Sequence, residues 1–325
     1  MLYVTTRNRQ EAFTVQHVLT ENWAADGGLY LPLHFPKLSS GELDQLKNTS
    51  FNQRIAELLN VFFGTKLSGW DVDFSAGRYP VRTEYLPHRI LMAETWHNPR
   101  WHYEYMDEKL TELLSARTGS SGNWVSIAIR MAILAAILLD QQENGEGCTD
   151  ISCVTHDFSL PISAWYLREV GLPVGNIICC SNENDPIWDL ICLGQMRVDT
   201  CPPVNLERLI SDCGGAAETE SYLKCVESEK VYSASDTMLK KLRHGLYVSV
   251  VSSGRIENTI PNVYRTYNYV LQPESALAYS GLMDYRAKTG ITRTAIVLCD
   301  ESPICKAEML AECMHLSKEE ILRII

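Results

Sequence analysis

Apolar positions recur along this chain in two periods, and the changes between them outline its elements. Residues 2–6 read as a short strand, residues 11–19 as an amphipathic stretch, and Asp26-Gly27-Gly28 as a turn before an apolar run at 29–33. Ser39 and Ser40 stand ready to cap a polar helix that begins near Glu42. Ser50 stands ready to cap another over residues 53–63, where apolar residues return at helical spacing. The longest apolar stretch, residues 125–139, is too short to span a bilayer and carries Arg130, so it reads as a buried helix. From residue 151 the pattern becomes strand (151–154), helix (161–169), a Gly-Leu-Pro turn, strand (176–181) and a helix ending near Leu193-Gly194. That βαβ alternation predicts an α/β fold, a parallel sheet flanked by helices, with ligands at the carboxyl ends of its strands. A further strand is expected over 294–299, and a closing helix over 317–325 opens with the capping box Ser317-Lys318-Glu319-Glu320.

Charge narrows the partners. Forty Asp and Glu against 29 Lys and Arg give a formal charge of −11, with no basic run, which argues against nucleic acid and anionic membrane. The opening residues MLYVTTRNRQEAF lack a signal-peptide core and transit-peptide character, so the cytoplasm is the expected compartment. All eleven cysteines follow residue 147 at irregular spacing, with no Cys-x-x-Cys and no His at zinc-finger distance. No metal and no disulfide framework is expected, only free thiols in a reducing compartment.

Specific motifs add a second line of reading. Tyr3-Val4-Thr5-Thr6-Arg7 followed by Ala25-Asp26-Gly27-Gly28-Leu29-Tyr30-Leu31-Pro32 resembles the threonine synthase pattern Y-x-S-T-R-G and A-P-D-G-G-L-Y-V-P. Further stretches are similar to the same family in the same order. Glu94 to Pro99 matches E-L-F-H-G-P, Ser121-Gly122-Asn123-Trp124 matches S-I-N-W, and Asn182-Glu183-Asn184-Asp185 matches N-E-N-D. Asn205-Leu206-Glu207-Arg208 matches N-F-E-R, and residues 269–276 match Y-L-L-D-P-H-T-A. The resemblance implies a fold type II pyridoxal-phosphate enzyme that converts O-phosphohomoserine to threonine. It also implies two regions, a threonine synthase-like N-terminal region over 1–90 and an α/β domain over 91–325 resembling the large domain.

The departures from the family pattern bear on function. Counting from Glu94, the Schiff-base lysine position falls on Glu104, and a carboxylate cannot form an imine. The family's Gly-rich phosphate loop falls on His156-Asp157-Phe158-Ser159-Leu160, where both glycines are absent. There, Asp157 would repel a phosphate by about 1 to 4 kcal/mol at ~4 Å. Only about fifteen residues separate Glu104 from Ser121, where the family inserts a small domain, so that domain is expected to be deleted. The family hydroxyl at the pyridine nitrogen aligns with Asp300.

Mapped onto the family fold, the old cofactor cleft gathers His97, His102, Glu104, His156, Asp157, Asp300 and Glu301. We take His97, His102, Glu104, His156, Asp157 and Asp300 as candidate catalytic residues, with Glu104 or His102 as general base and Asp157 or His156 as general acid. No cofactor-binding and no metal-binding residue is assigned. The expected function is a cofactor-independent lyase, cyclisation or hydration reaction on a small amino-acid-like substrate. A non-catalytic binding or scaffolding protein is the alternative, with a protein partner or second copy at the face exposed by the deleted domain. A degenerate threonine synthase holding its cofactor without a covalent bond comes third. Asn182-Glu183-Asn184-Asp185 reads as architectural, and His17, His34, His88, His244 and His315 as surface or core histidines.

Overall fold

The N-terminal segment begins with β1 (Leu2–Thr5), which pairs antiparallel with both β2 (Phe13–Thr14) and β3 (Tyr30–Pro32). The stretch read as one amphipathic element over 11–19 is divided between β2 and α1 (Val15–Thr20). The two helices with serine signals start where expected. In α2 (Ser40–Lys47) the Ser39 hydroxyl accepts from the Glu42 amide while the Glu42 carboxylate accepts from the Ser39 amide. In α3 (Phe51–Phe63) Ser50 accepts from Gln53, and Gly64 in a left-handed conformation ends the helix. The chain is described by a computed structural model over residues 1–74, 81–98, 103–117, 122–141, 147–183, 185–198, 202–228 and 230–325.

After α3 come β4 (Arg82–Leu86), β5 (Ile90–Glu94), α4 (Tyr103–Leu113), α5 (Trp124–Asp140), β6 (Thr149–Val154), α6 (Ser159–Val170) and β7 (Val174–Ser181). The one-turn α7 (Pro186–Trp188) runs into a wide helical turn, then β8 (Gln195–Arg197), α8 (Leu206–Glu227), β9 (Val231–Ser233), α9 (Asp236–Gly245) and β10 (Leu246–Val250). The chain closes with α10 (Ser253–Tyr267), α11 (Pro273–Thr289), β11 (Ala295–Cys299), α12 (Ala307–Met314) and α13 (Lys318–Ile324). The capping box read at Ser317 is present in α13.

Six strands form the main sheet in the order β10-β7-β6-β11-β5-β4. Five are parallel, as the βαβ pattern predicts, but β4 runs antiparallel to β5, so the sheet is mixed. The short link between β4 and β5 explains the difference, since three residues suffice for a hairpin and not for a crossover. This hairpin straddles residue 90, and its first strand is the edge of the main sheet.

Both faces of the sheet are covered. In β11, Ile296 and Leu298 enter a core shared with α5, α6 and the N-terminal segment, while Ala295, Val297 and Cys299 pack beneath α10, α11 and α12. Trp124 is fully buried at the centre of the first core, with ring centroids 6.0 Å from Tyr3, 5.7 Å from Phe62 and 5.9 Å from Tyr166. The apolar run expected as a buried helix is α5, and Arg130 is one of its few residues not fully buried. Among the described residues, no helix is long and apolar enough to cross a membrane.

A polar clasp ties the N-terminal segment to α8. Glu207 accepts from the Thr6 hydroxyl and from Arg7, whose Nε and Nη2 each lie 3.0 Å from a carboxylate oxygen. Arg208, fully buried, donates to the carbonyls of Tyr30 and Gly122 and to the Asn205 side chain. At the turn, Gly27 has φ +73, and a Cβ there would lie 2.9 Å from Arg7 Nη1, so the turn and the clasp require glycine together.

Candidate functional site

The carboxyl ends of β5, β6, β7 and β11 bring four short segments to one edge of the sheet, and polar side chains collect there. After β6 the chain turns through Thr155, His156 and Asp157, with His156 at φ 31 and Phe158 at φ 65, before entering α6. Phe158 has no side chain that can cap a helix. Asp157 does it from one residue earlier, its Oδ1 accepting from the Ser159 amide at 2.9 Å. The carbonyl of Asp157 is held in turn by the backbone and side-chain nitrogens of Asn205, so the turn is anchored to α8 beside the clasp.

His156 projects from this turn toward the first turn of α11, where its Nε2 lies 3.1 Å from Glu274 Oε1. The bond to Glu274 raises the His156 pKa from its usual 6.5 against the opposing effect of burial, with the charges of Asp157 and Asp300 adding to the rise. The same bond lowers the Glu274 pKa. The stability linkage follows from these directions. The His156 part is complete below about pH 6.5 and is lost as pH rises through its raised pKa, while the Glu274 part is present above about 4.5 and is lost as pH falls through its lowered one. With side chains 59% and 38% exposed, the pair contributes under ~1 kcal/mol. His156 is therefore expected to titrate above 6.5 in an NMR pH series, and Glu274→Gln to return it toward that value. A wild-type midpoint at or below 6.5 would mean the pair does not form in solution.

The remaining candidates separate into two groups. Asp300, just beyond β11, accepts from the Thr95 hydroxyl at 3.0 Å and lies 3.6 Å from Arg130 Nη1. The break in the α5 apolar run thus supplies the counter-charge of a site residue. Glu301 accepts from Gln272, which itself caps α11 just ahead of Glu274. His156, Asp157, Asp300 and Glu301 therefore share this edge. His97 is exposed in the turn after β5, its ring against Trp96, and Glu104 is exposed on the first turn of α4 without a hydrogen bond or ion pair to another described residue. His102 lies outside the described residues.

Several residues of this edge carried no isolated signal in the sequence. Glu274 stands where the motif Y-L-L-D-P-H-T-A has histidine, one of four positions at which residues 269–276 depart from it. Beside His156 a groove of about 310 Å³ is bordered by Thr155, Ser181, Asn182 and Glu183. The Ser181 hydroxyl is buried and has no hydrogen-bond partner among the described residues. Asp185 accepts from the Thr155 hydroxyl and from the Ile187 amide, capping α7, which agrees with an architectural reading of its motif. Beneath the edge, Glu94 is buried with its pKa raised by desolvation, and Tyr269 donates to it at 2.7 Å. Burial also pushes the neighbouring Cys299 thiol up to about 12. Among the described residues, no group of three or more His, Cys, Asp or Glu is arranged to hold a metal ion.

Comparison with known proteins agrees with the motifs. Residues 2–73 match the family described as threonine synthase N terminus. The chain is 24% identical over 200 residues to human threonine synthase-like 1, covering 54% of this chain and 27% of that protein. It is 27% identical over 150 residues to human threonine synthase-like 2, covering 40% of this chain and 31% of that protein. It thus spans about a quarter to a third of the length of these relatives. In structure it matches the pyridoxal phosphate-bound threonine synthase of Brucella melitensis with a TM-score of 0.82 at 16% identity, over 96% of this chain and 91% of that one. It matches the yeast enzyme with the same TM-score at 11% identity, over 99% and 93%. By sequence in its N-terminal segment and by fold along nearly its whole length, this chain is similar to the threonine synthases and to their threonine synthase-like relatives.

Proposed function

We propose that this protein does not run pyridoxal-phosphate chemistry and instead carries out cofactor-independent acid–base catalysis on a small amino-acid-like substrate. The observation that carries the reading is the His156–Glu274 pair, set beside a groove bordered by Thr155, Ser181, Asn182 and Glu183. A histidine whose cationic form is favoured by a neighbouring carboxylate is suited to receive a substrate carboxylate or carbonyl oxygen and to deliver a proton to it. Asp157 uses one carboxylate oxygen on the helix amide, and its other oxygen serves as the base.

The cofactor fits the same edge poorly. The Ser159 amide at the start of α6 is the kind of donor that would hold a phosphate, yet it is already bonded to the protein's own carboxylate. A phosphate there would have to displace Asp157 and sit beside its charge. Glu104, aligned with the lysine, offers no amine. The ten described cysteines are all free, which supports the cytoplasm as the compartment.

A non-catalytic binding role is the second reading, and the exposure of Glu104 and His97 favours it. A turnover assay separates the two. The protein, with no cofactor added, is incubated in D2O with homoserine, threonine, O-phosphohomoserine and 2-oxobutyrate, and proton NMR follows deuterium uptake and product. Catalysis predicts one substrate to change faster than in a protein-free control. No change in any of them would sink the enzymatic reading in favour of binding.

A further inference from the structure

A further cavity lies elsewhere, at the opposite edge of the sheet. Arg168, near the end of α6, donates to the carbonyls of Gly175 and Gly245, residues at the starts of β7 and β10. These mark the amino-terminal ends of the parallel strands, whereas His156 and Asp300 stand at the carboxyl ends. A cavity of about 780 Å³ opens here between α6, α8, α9 and the segment after β3. That volume is in the range of small-molecule sites, roughly 300–1,000 Å³.

Its chemistry is unlike the rest of the surface. Thr237, Lys240, Lys241 and His244 follow helical i, i+3, i+4, i+7 spacing, so one face of α9 presents a cationic stripe to the cavity. Arg9 and Arg168 add two guanidinium groups, against only Glu169 and Asp212. Arg9 and Asp212 form an ion pair with each other. Lys241 is tied to the carbonyl of Cys213 at 2.8 Å, which orders its ammonium, while Lys240 and His244 are exposed and have no carboxylate partner among the described residues. In a chain of formal charge −11 this is a local reversal of sign.

The other wall is apolar and partly aromatic. Trp165 and Phe35 line it, and the Arg168 guanidinium carbon lies 5.4 Å from the Trp165 ring centre, fixing that ring. Gly245 makes the arrangement possible. A Cβ at that position would come within 2.2 Å of Arg168 Nη1 and 2.9 Å of the Trp165 ring.

We propose that this cavity binds a phosphorylated planar metabolite of the nucleoside monophosphate type, the ring against Trp165 and Phe35 and the phosphate on Lys240, Lys241 and His244. Two adjacent lysines and a histidine match a dianion better than a single carboxylate. The aromatic rings of Trp165 and Phe35 match a base.

Calorimetric titration of the full chain with the four ribonucleoside monophosphates tests this. At least one should bind, its parent nucleoside should bind at least about tenfold more weakly, and raised salt should weaken the complex. Lys240→Glu should weaken binding by at least about tenfold while leaving the fold unchanged by circular dichroism, because Lys240 is exposed and unpaired. Trp165→Leu should also weaken binding and, unlike Lys240→Glu, should weaken the parent nucleoside as well. If no monophosphate binds, if nucleoside and nucleotide bind alike, or if Lys240→Glu binds as the wild type does, the proposal is wrong. The site is far from His156, so His156→Ala should bind the nucleotide normally whatever becomes of the catalytic reading.

Discussion

Replacing Arg208 by methionine is expected to destabilise the folded chain by about 3–5 kcal/mol, enough to unfold a marginal protein near body temperature. The guanidinium is fully buried, and burial pushes its pKa down to about 10, which still leaves it charged at neutral pH. Its partners are mainly backbone carbonyls, those of Tyr30 and Gly122, which no companion substitution can remove. Methionine would fill much of the volume but leave these acceptors dry, each at about 1–3 kcal/mol. Asn205 would also lose its Arg208 contact, and Asn205 holds the Asp157 carbonyl, so the turn carrying His156 should loosen with the clasp. Urea denaturation followed by tryptophan fluorescence measures the loss. A change under about 1 kcal/mol would show that the clasp is dispensable and that the surrounding core alone holds the N-terminal segment.

The second large effect is expected at the site. If His156 delivers the proton in turnover, His156→Ala should lower the rate by about 10² to 10⁴. Glu274→Gln should cost less at low pH, because the imidazole can still be protonated there, and more as pH rises. The wild-type rate should fall on the alkaline side through a pKa above 6.5, and in Glu274→Gln that limb should move down toward 6.5, since the carboxylate that favours the cation is gone. A variant with altered rate but an unmoved limb would assign Glu274 a purely positioning role. An unchanged rate in His156→Ala would remove His156 from the chemistry.

What the sequence revealed of this molecule follows from which features act locally. The caps at Ser39, Ser50 and Ser317 and the turn at Asp26-Gly27-Gly28 depend on neighbours a few residues away, so a linear reading finds them. The motifs that resemble threonine synthase are contacts seen from both ends. Thr6 and Arg7 from one motif meet Glu207 from another, and Tyr30 meets Arg208, so several of the matching letters lock the N-terminal segment onto α8. The antiparallel β4 was not legible as such, because its strand lacks a strong apolar alternation and only the hairpin geometry fixes its direction. The site was half legible. His156, Asp157 and Asp300 could be placed by counting from motifs, whereas Glu274, Arg130 and Ser181 belong to it only through three-dimensional convergence. Counting also nominated Glu104, an exposed side chain on the first turn of α4, and His97, exposed in the turn after β5. His244, read as unremarkable, lines the cationic cavity on α9.

The proposal that this chain does not run pyridoxal-phosphate chemistry is tested most directly by one measurement. The protein is mixed with pyridoxal phosphate, reduced with borohydride, digested and mapped by mass spectrometry. The account predicts no stoichiometric adduct and no single modified lysine, only scattered low-level labelling of exposed amines. One phosphopyridoxyl group per chain at a unique lysine, with the absorbance band of an internal imine before reduction, would contradict it.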